Sequence, residues 1–373
     1  MHEYQHEQVR IERGARSGVT IIVAIHSTAL GPAIGGCRLW RYPGWRDALT
    51  DALRLSAGMT VKNATAGLDL GGGKAVIALP EGATLDGRER RDVLHDVGEL
   101  VESFGGRYAT GPDVGTGPDD MAVIGERTGH LFCRPESLGG SGDSSSHTAD
   151  GVLAALAATT VHLDGGDPAR HADLDGRRIT VVGLGHVGER LARTLAAAGA
   201  RLAVTDIDPA RRALAAELGA RWLEPGRAWT EETDVLVPAA LGGALTHALV
   251  PELRCRAIVG PANNQLADEE VADRLHRRGV HWVPDYLAGA GGVIYAVARE
   301  LRGTGHEEAA ARVRGIGDTT AALLHAAARD GISPHLSALR RVRDRLAAAR
   351  RAAAPGTTPP RTQTTSASTL VKP

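Results

Sequence analysis

The segment that most limits the folds open to this chain is ITVVGLGHVGERLARTLAAAGARLAVTDID, residues 179–208. An apolar run, Ile179-Thr180-Val181-Val182, is followed by Gly183, Gly185 and Gly188 in G-x-G-x-x-G spacing. An alanine- and leucine-rich stretch then leads to a second apolar run that ends at Asp206. Strand, glycine turn and helix in that order predict the opening unit of a doubly wound parallel sheet. Gly183 permits the tight turn, Gly185 lets backbone approach a pyrophosphate, and Gly188 allows helix and strand to touch. The helix start, with the backbone of Leu184, His186 and Val187, favours negative charge. A glycine turn that binds nothing is the alternative for this motif alone. Asp206 lies 206 − 188 = 18 residues past the last glycine, where a carboxylate accepts hydrogen bonds from an adenosine ribose. It would repel a 2′-phosphate, so NAD is expected over NADP, with Arg211 and Arg212 close enough to temper the preference.

Beyond Asp206, apolar runs (TDVLVPAAL, AIVG, VHWVP) alternate with helical stretches, as a parallel sheet requires. The loops Pro238–Gly243 and Pro261–Gln265 follow two of these runs and would face the cofactor crevice. Asn264 either binds the nicotinamide side or satisfies a local turn. The expected fold class is α/β with two domains and an active-site cleft between them. Residues 1–150 form an N-terminal α/β catalytic and oligomerisation domain, and 151–305 a Rossmann domain. Residues 306–352 are helices that pack back across the cleft, and 353–373, rich in Pro, Thr and Ser, are disordered.

Composition narrows the setting. A chain of 373 residues with 43% hydrophobic and 23% charged residues and a formal net charge of -1 suits a soluble two-domain protein. It points to no nucleic-acid or membrane-surface partner. Cys37, Cys133 and Cys255 are far apart with no C-x-x-C pairing, so neither a disulfide framework nor a metal site is expected. No apolar signal segment opens the chain, and no run approaches the ~18 apolar residues of a membrane helix. A cytoplasmic location is expected.

Two lysines stand out in the first domain. Met59–Ile77, MTVKNATAGLDLGGGKAVI, carries Lys62 and Lys74, 74 − 62 = 12 residues apart, among small and apolar neighbours. Such surroundings disfavour an ammonium, and a second nearby cation would depress a lysine pKa toward a value useful for proton transfer. The alternative has both lysines reaching solvent from a sheet edge, with the glycines forming a hairpin or tight loop. TGPDVGT, residues 110–116, offers Asp113 as a second proton-transfer group or as a turn cap. The glycines of Leu30–Gly36, LGPAIGG, would either bring backbone to a substrate or make a packed turn.

In combination these motifs are recognisable. LGPAIGGCRLW, AGMTVKNATAGLDLGGGKAVI, TGPDVGT, the Gly183 turn, PAALGG, PANNQL and VPDYLAGAGGVI occur in that order. From about Ser27 to Leu346 the chain resembles the leucine, valine and phenylalanine dehydrogenase branch of the glutamate dehydrogenase superfamily. The resemblance implies that Lys62 holds a substrate carboxylate and Lys74 serves as acid/base. It implies that Asp113 exchanges protons with the amino group, and that Leu30, Gly31 and Val293 border an apolar side chain. The implied reaction is NAD-dependent oxidative deamination of an apolar L-amino acid, with valine or leucine leading and phenylalanine next. A homo-oligomer is implied as well. Two positions depart from the family pattern: Gly289 replaces an asparagine that helps hold the substrate carboxylate, and Tyr295 replaces a smaller polar residue. His186 also replaces a usual asparagine, at a place where backbone does most of the binding. Two rival readings follow, a non-catalytic NAD-binding regulatory protein on the same fold and another nicotinamide oxidoreductase such as a 2-hydroxy-acid dehydrogenase.

Overall fold

Residues 21–25, IIVAI, are apolar at every position because the strand that they form is covered on both faces. In the computed structural model, which describes residues 5–166, 173–240 and 242–353, this run is strand β2 (Thr20–Ser27). It lies in a sheet with β1 (Gln8–Arg13), β3 (Ala33–Tyr42), β4 (Gly71–Pro80) and β5 (Tyr108–Pro112), in the order β1-β2-β4-β3-β5. β1, β2 and β4 run antiparallel in turn, whereas β3 is parallel to both β4 and β5. Alternate side chains of a strand face opposite ways. Ile21, Val23 and Ile25 therefore pack with Val93, Val97 and Ile124, from α2 (Gly87–Glu102) and α3 (Pro118–Ile124). Ile22 and Ala24 pack with Ala48 and Ala52 of α1 (Trp45–Thr65) on the other face.

Helix α1 is set close to the sheet by its sequence. Along its buried face Ala48, Ala52, Ser56, Thr60 and Ala64 recur every four residues, none larger than threonine, with Asn63 buried beside them. The sheet answers with glycine: a Cβ built on Gly72 would fall 2.1 Å from the Thr60 backbone nitrogen. Close approach of α1 to β4 brings the last turn of the helix, with Lys62, toward the strand that carries Lys74. Here the structure rules out two of the alternatives. Gly71-Gly72-Gly73 belong to β4, a strand flanked by β2 and β3, so they form neither a hairpin nor a sheet edge. Gly35 and Gly36 likewise lie within β3 instead of in a turn. A turn is the alternative that glycine usually suggests for both segments, but here glycine marks close packing.

The second sheet is parallel throughout, in the order β11-β10-β9-β6-β7-β8. Its strands are β6 (Arg178–Val182), β7 (Arg201–Thr205), β8 (Arg221–Trp222), β9 (Thr233–Pro238), β10 (Cys255–Ile258) and β11 (His281–Trp282). This is the doubly wound order that puts a topological switch point between the first and fourth strands, β6 and β9. Between the sheets runs α4 (Ser145–Leu163), so the boundary expected at residue 150 falls inside a helix. α5 (His186–Ala197), α6 (Arg212–Glu217), α7 (Pro225–Ala228) and α8 (Glu270–Arg277) accompany the second sheet. They are followed by α9 (Asp285–Ala288), α10 (Gly291–Ala296), α11 (His306–Arg314), α12 (Ile316–Asp330) and α13 (Pro334–Ala353). α12 packs on α4, and α13 returns to α1. There Arg345 donates to the Ala64 carbonyl at 2.6 Å and to Asp69 at 2.7 Å, a cation placed at a helix C-terminus where free carbonyls favour it. Of the tail expected to lack structure, all but Ala353 lies outside the described residues. Among the described residues no helix is long and apolar enough to cross a membrane.

The packing of α1 on β4 yields a matched pair of substitutions. Gly72→Ala should destabilise the protein by ~1–3 kcal/mol, because its new methyl group meets backbone. Gly58→Ala, on α1 where a Cβ meets nothing within 4 Å, should stabilise by ~0.5–1 kcal/mol. Urea denaturation midpoints of the two variants should move in opposite directions.

Candidate active site

Lys74 sits in the middle of the first sheet and is 4% exposed. An ammonium so placed needs an anion, and β5 delivers one. As the strand ends at Pro112, Asp113 turns back with its Oδ2 2.8 Å from Lys74 Nζ. The turn is pinned from both sides: the Asp113 amide donates to Thr116 Oγ1 at 3.0 Å, and that hydroxyl donates to the Cys37 carbonyl on β3 at 2.7 Å. Arg38, next on β3, donates from Nε to the same Asp113 oxygen at 2.8 Å. Burial works against charge on Asp113, but Lys74 and Arg38 together outweigh it and hold the carboxyl below its ordinary range. Burial lowers the Lys74 ammonium below the ordinary lysine range, with Asp113 opposing and Arg38 reinforcing the effect.

Lys62 enters from α1, partly buried. Burial lowers its pKa as well; the charge of Asp285 opposes this, that of Lys74 adds to it, and Asp113 opposes it. Three of the expected residues, Lys62, Lys74 and Asp113, are thus within electrostatic reach of one another. They come from a helix end, a central strand and the end of a neighbouring strand. Leu30 and Gly31 occupy the turn between β2 and β3, and the Gly31 carbonyl accepts from the Gly71 amide at 3.2 Å. Val293 lies on α10 and packs against the large core that spans α4 and the second sheet.

The cofactor half is built at the switch point. Gly183 has φ +102°, and a Cβ there would lie 2.8 Å from the Ala240 nitrogen, so the turn tolerates only glycine. Gly185 and His186 are exposed at the start of α5, whereas Gly188 is buried and Val187 partly so. The Leu184 side chain is fully buried, and its amide is already taken: it donates to Asp206 Oδ2 at 2.6 Å. Asp206, held also by the Asp208 amide at 2.9 Å, is therefore fixed at the end of β7 beside the glycine turn. His186 Nδ1 is 3.8 Å from Asp143 of the loop before α4. Asn264 has φ +53° and a carbonyl that accepts from Gly243 at 2.7 Å, tying the loops after β9 and β10 together. A glycine-only turn, an exposed helix start and a fixed carboxylate one strand away fit a dinucleotide.

Sequence reading missed the residues that connect these halves. Asp51 on α1 accepts from Arg38 Nη1 at 2.9 Å and from the Tyr42 hydroxyl at 2.8 Å. Its other oxygen accepts from Arg54 at 2.7 Å, and Arg54 reaches Asn264 Oδ1 at 3.4 Å. Asp285, at the start of α9 and 7% exposed, accepts from the Gln265 amide at 2.9 Å and faces Lys62. Burial raises its pKa against those backbone donors and Lys62. Arg38 and Asp285 lay inside the motifs LGPAIGGCRLW and VPDYLAGAGGVI, where a charge amid apolar neighbours was the available signal; Asp51 and Arg54 look like an ordinary solvated helix face.

At the two departures, Gly289 ends α9 with φ −84°, a conformation open to any residue, although a Cβ there would lie 2.9 Å from the Asp285 carbonyl. Tyr295 is committed elsewhere. Its ring stacks on His147 with centroids 3.4 Å apart, and its hydroxyl bonds with His306 Nδ1 at 2.7 Å. The centre holds two lysines, an aspartate and Arg38, and among the described residues no histidine joins that arginine in the pair that a 2-hydroxy-acid dehydrogenase needs.

Comparison with known proteins agrees with this geometry. Residues 4–130 match the family described as Glu/Leu/Phe/Val dehydrogenase, dimerisation domain, and residues 204–300 match Glutamate/Leucine/Phenylalanine/Valine dehydrogenase. The chain is 40% identical to a leucine dehydrogenase of Bacillus cereus over 93% of this chain and 92% of that one. It is 42% identical to a valine dehydrogenase of Streptomyces virginiae, over 92% and 95% of the two chains. Among solved structures, L-tryptophan dehydrogenase from Nostoc punctiforme superposes with a TM-score of 0.79 at 34% identity, covering 93% of this chain and 97% of that one. The chain belongs to the glutamate/leucine/phenylalanine/valine dehydrogenase family and is an amino-acid dehydrogenase.

Proposed function

We propose that this enzyme catalyses the NAD-dependent oxidative deamination of an apolar L-amino acid to the 2-oxo acid and ammonia, and the reverse reductive amination. Valine or leucine is the leading substrate and phenylalanine the next. The observation that carries the reading is the meeting of Lys62, Lys74 and Asp113 in one partly buried place beside the cofactor half. In the proposed reaction Lys62 holds the substrate carboxylate. Asp113, kept ionised by Arg38, takes a proton from the substrate ammonium. When bound, the nicotinamide accepts the hydride from the α-carbon. Lys74, with its ammonium disfavoured by burial, takes a proton from the water that attacks the resulting imine and then stabilises the charge that develops on oxygen. Asp113 returns its proton to the amino nitrogen, and the C–N bond breaks as the carbonyl forms, ammonia leaving and the hydroxyl proton passing to Asp113.

An apolar substrate is favoured because the cations near the centre are committed. Arg38 serves Asp113 and Asp51, and Arg54 serves Asp51, which leaves neither for a second substrate carboxylate. Leu30, Gly31 and Val293 are proposed to border the side chain. NAD is favoured over NADP for a similar reason. Arg211 is paired with Glu189 at 2.9 Å and Arg212 with Glu224 at 2.7 Å, so neither cation that tempered the preference is available to a 2′-phosphate, while Asp206 opposes one. Gly185, His186, Val187 and Gly188 would hold the pyrophosphate region, chiefly through backbone, while Gly183 and Leu184, whose amides serve Thr205 and Asp206, shape the turn; Asn264 would hold the nicotinamide side. A homo-oligomer assembled through the first domain is proposed from the dimerisation-domain match.

Lys74→Ala and Asp113→Asn should each lower kcat by ~10²–10⁴-fold, with NADH binding, followed by its fluorescence, retained. Near wild-type turnover in either variant contradicts the assigned roles. In the reductive direction, kcat/KM with NADH should exceed that with NADPH by about tenfold or more, a preference of ~1.4 kcal/mol. Equal efficiency would contradict the reading of Asp206.

A further inference from the structure

Arg38 is one guanidinium between two carboxylates. Its Nε donates to Asp113 Oδ2 at 2.8 Å and its Nη1 to Asp51 Oδ2 at 2.9 Å, with both the Arg38 and Asp51 side chains 17% exposed. Asp51 is in turn fully engaged: Tyr42 donates to the same oxygen at 2.8 Å, and Arg54 to the other at 2.7 Å. Asp51 touches neither Lys74 nor Asp113, so its charge reaches them only across Arg38. If the guanidinium had no second anion, Asp113 and Lys74 would feel its whole charge. It would also be free to rotate about its single remaining bond to Asp113.

We propose that Asp51 is a positioning residue for the proton-transfer pair: by sharing Arg38 with Asp113, it fixes the direction of the guanidinium and sets how much of its positive charge Lys74 and Asp113 feel. The proposal rests on the reading of Lys74 and Asp113 as that pair. Other titratable groups also face the pair. Cys37 lies on β3, Tyr108 on β5 and Lys62 on α1, with Asp285 reaching Lys62 from α9. Burial pushes the Cys37 thiol up to about 12 and the Tyr108 phenol higher still, so both stay neutral in the working range. Burial likewise raises the Tyr42 phenol, with Asp51 adding to the effect. Lys62 and Asp285 do not contact Asp51, and its replacement leaves them in place.

The sign of the effect follows from the charges. Oxidative deamination requires Asp113 ionised and Lys74 neutral. Removing the negative charge of Asp51 leaves Arg38 and Arg54 uncompensated, which favours both of those states, so both titrations move to lower pH. Removing the positive charge of Arg38 does the reverse. Unit charges several ångströms apart in a partly buried site move a titration by ~0.5–2 pH units.

The test is the pH profile of kcat/KM for the amino acid in Asp51→Asn, Arg38→Gln and the double variant, with urea midpoints to establish folding. The acidic limb is expected to move to lower pH in Asp51→Asn and to higher pH in Arg38→Gln, each by ~0.5 unit or more, and in the double variant to stay near the Arg38→Gln position, because Asp51 acts through Arg38. Asp51→Glu, which keeps the charge, should restore the limb. Asp51→Ser is a second neutral variant should the asparagine form fail to fold. An unmoved limb in a folded neutral variant, or shifts of the same sign in the Asp51 and Arg38 variants, overturns the proposal. If Lys74→Ala and Asp113→Asn keep wild-type turnover, the reading of the pair has failed instead.

Discussion

Lys74 carries an ammonium into the centre of a sheet, and its 2.8 Å contact with Asp113 is what makes that placement tolerable. Two charges withdrawn from water cost several kcal/mol each unless their geometry and remaining hydrogen bonds compensate. Here compensation is built from neighbouring strands. Asp113 is reached by Arg38 from β3, and its turn is tied through Thr116 to the Cys37 carbonyl. β3, β4 and β5 must therefore be held in one register, which the parallel β4–β3–β5 arrangement supplies. The glycines of β4 and the small residues of α1 follow from the same demand. Only a helix lying directly on that strand can bring Lys62 to within electrostatic reach of Lys74.

The second sheet meets a different constraint with the same economy of side chains. Its switch point is formed by backbone, with Gly183 in a conformation denied to other residues and Gly188 close under it. The carboxylate of Asp206 locks the turn through the Leu184 amide, so the group expected to recognise a ribose also shapes the loop that leads into α5. The halves are joined by polar contacts, with Arg54 reaching Asn264 and Arg345 reaching the end of α1. A long core also runs through α4 into the C-terminal helices. Chemistry at Lys74 and the loop that carries Asn264 are thus linked through α1.

The second sheet was the more legible half in the sequence. Each of its longer strands is a short apolar run closed by a turn residue, and the glycine spacing identifies the switch point without reference to anything distant. The first sheet was harder to read, because its glycines serve packing. Gly35, Gly36 and Gly71–Gly73 look like turns until the partner that presses on each is known, and Thr60 is the partner of Gly72 from 72 − 60 = 12 residues away. Lys74 and Asp113 were visible as residues of interest from their neighbours and their resemblance to a family. Asp51 and Arg54 were not, because their importance depends on Arg38, which reaches Asp51 from a strand that precedes α1. Long-range charge sharing leaves no periodic trace in a sequence, whereas a βαβ turn does.

The central claim is that this buried lysine and aspartate serve an amine, and not a hydroxyl, at the substrate α-carbon. The most direct measurement is NADH oxidation by the purified enzyme with a panel of 2-oxo acids, ranging from branched aliphatic to aromatic, in the presence and absence of ammonia. Turnover that requires ammonia and yields the L-amino acid is the predicted result. Reduction of any 2-oxo acid at the same rate without ammonia would contradict it.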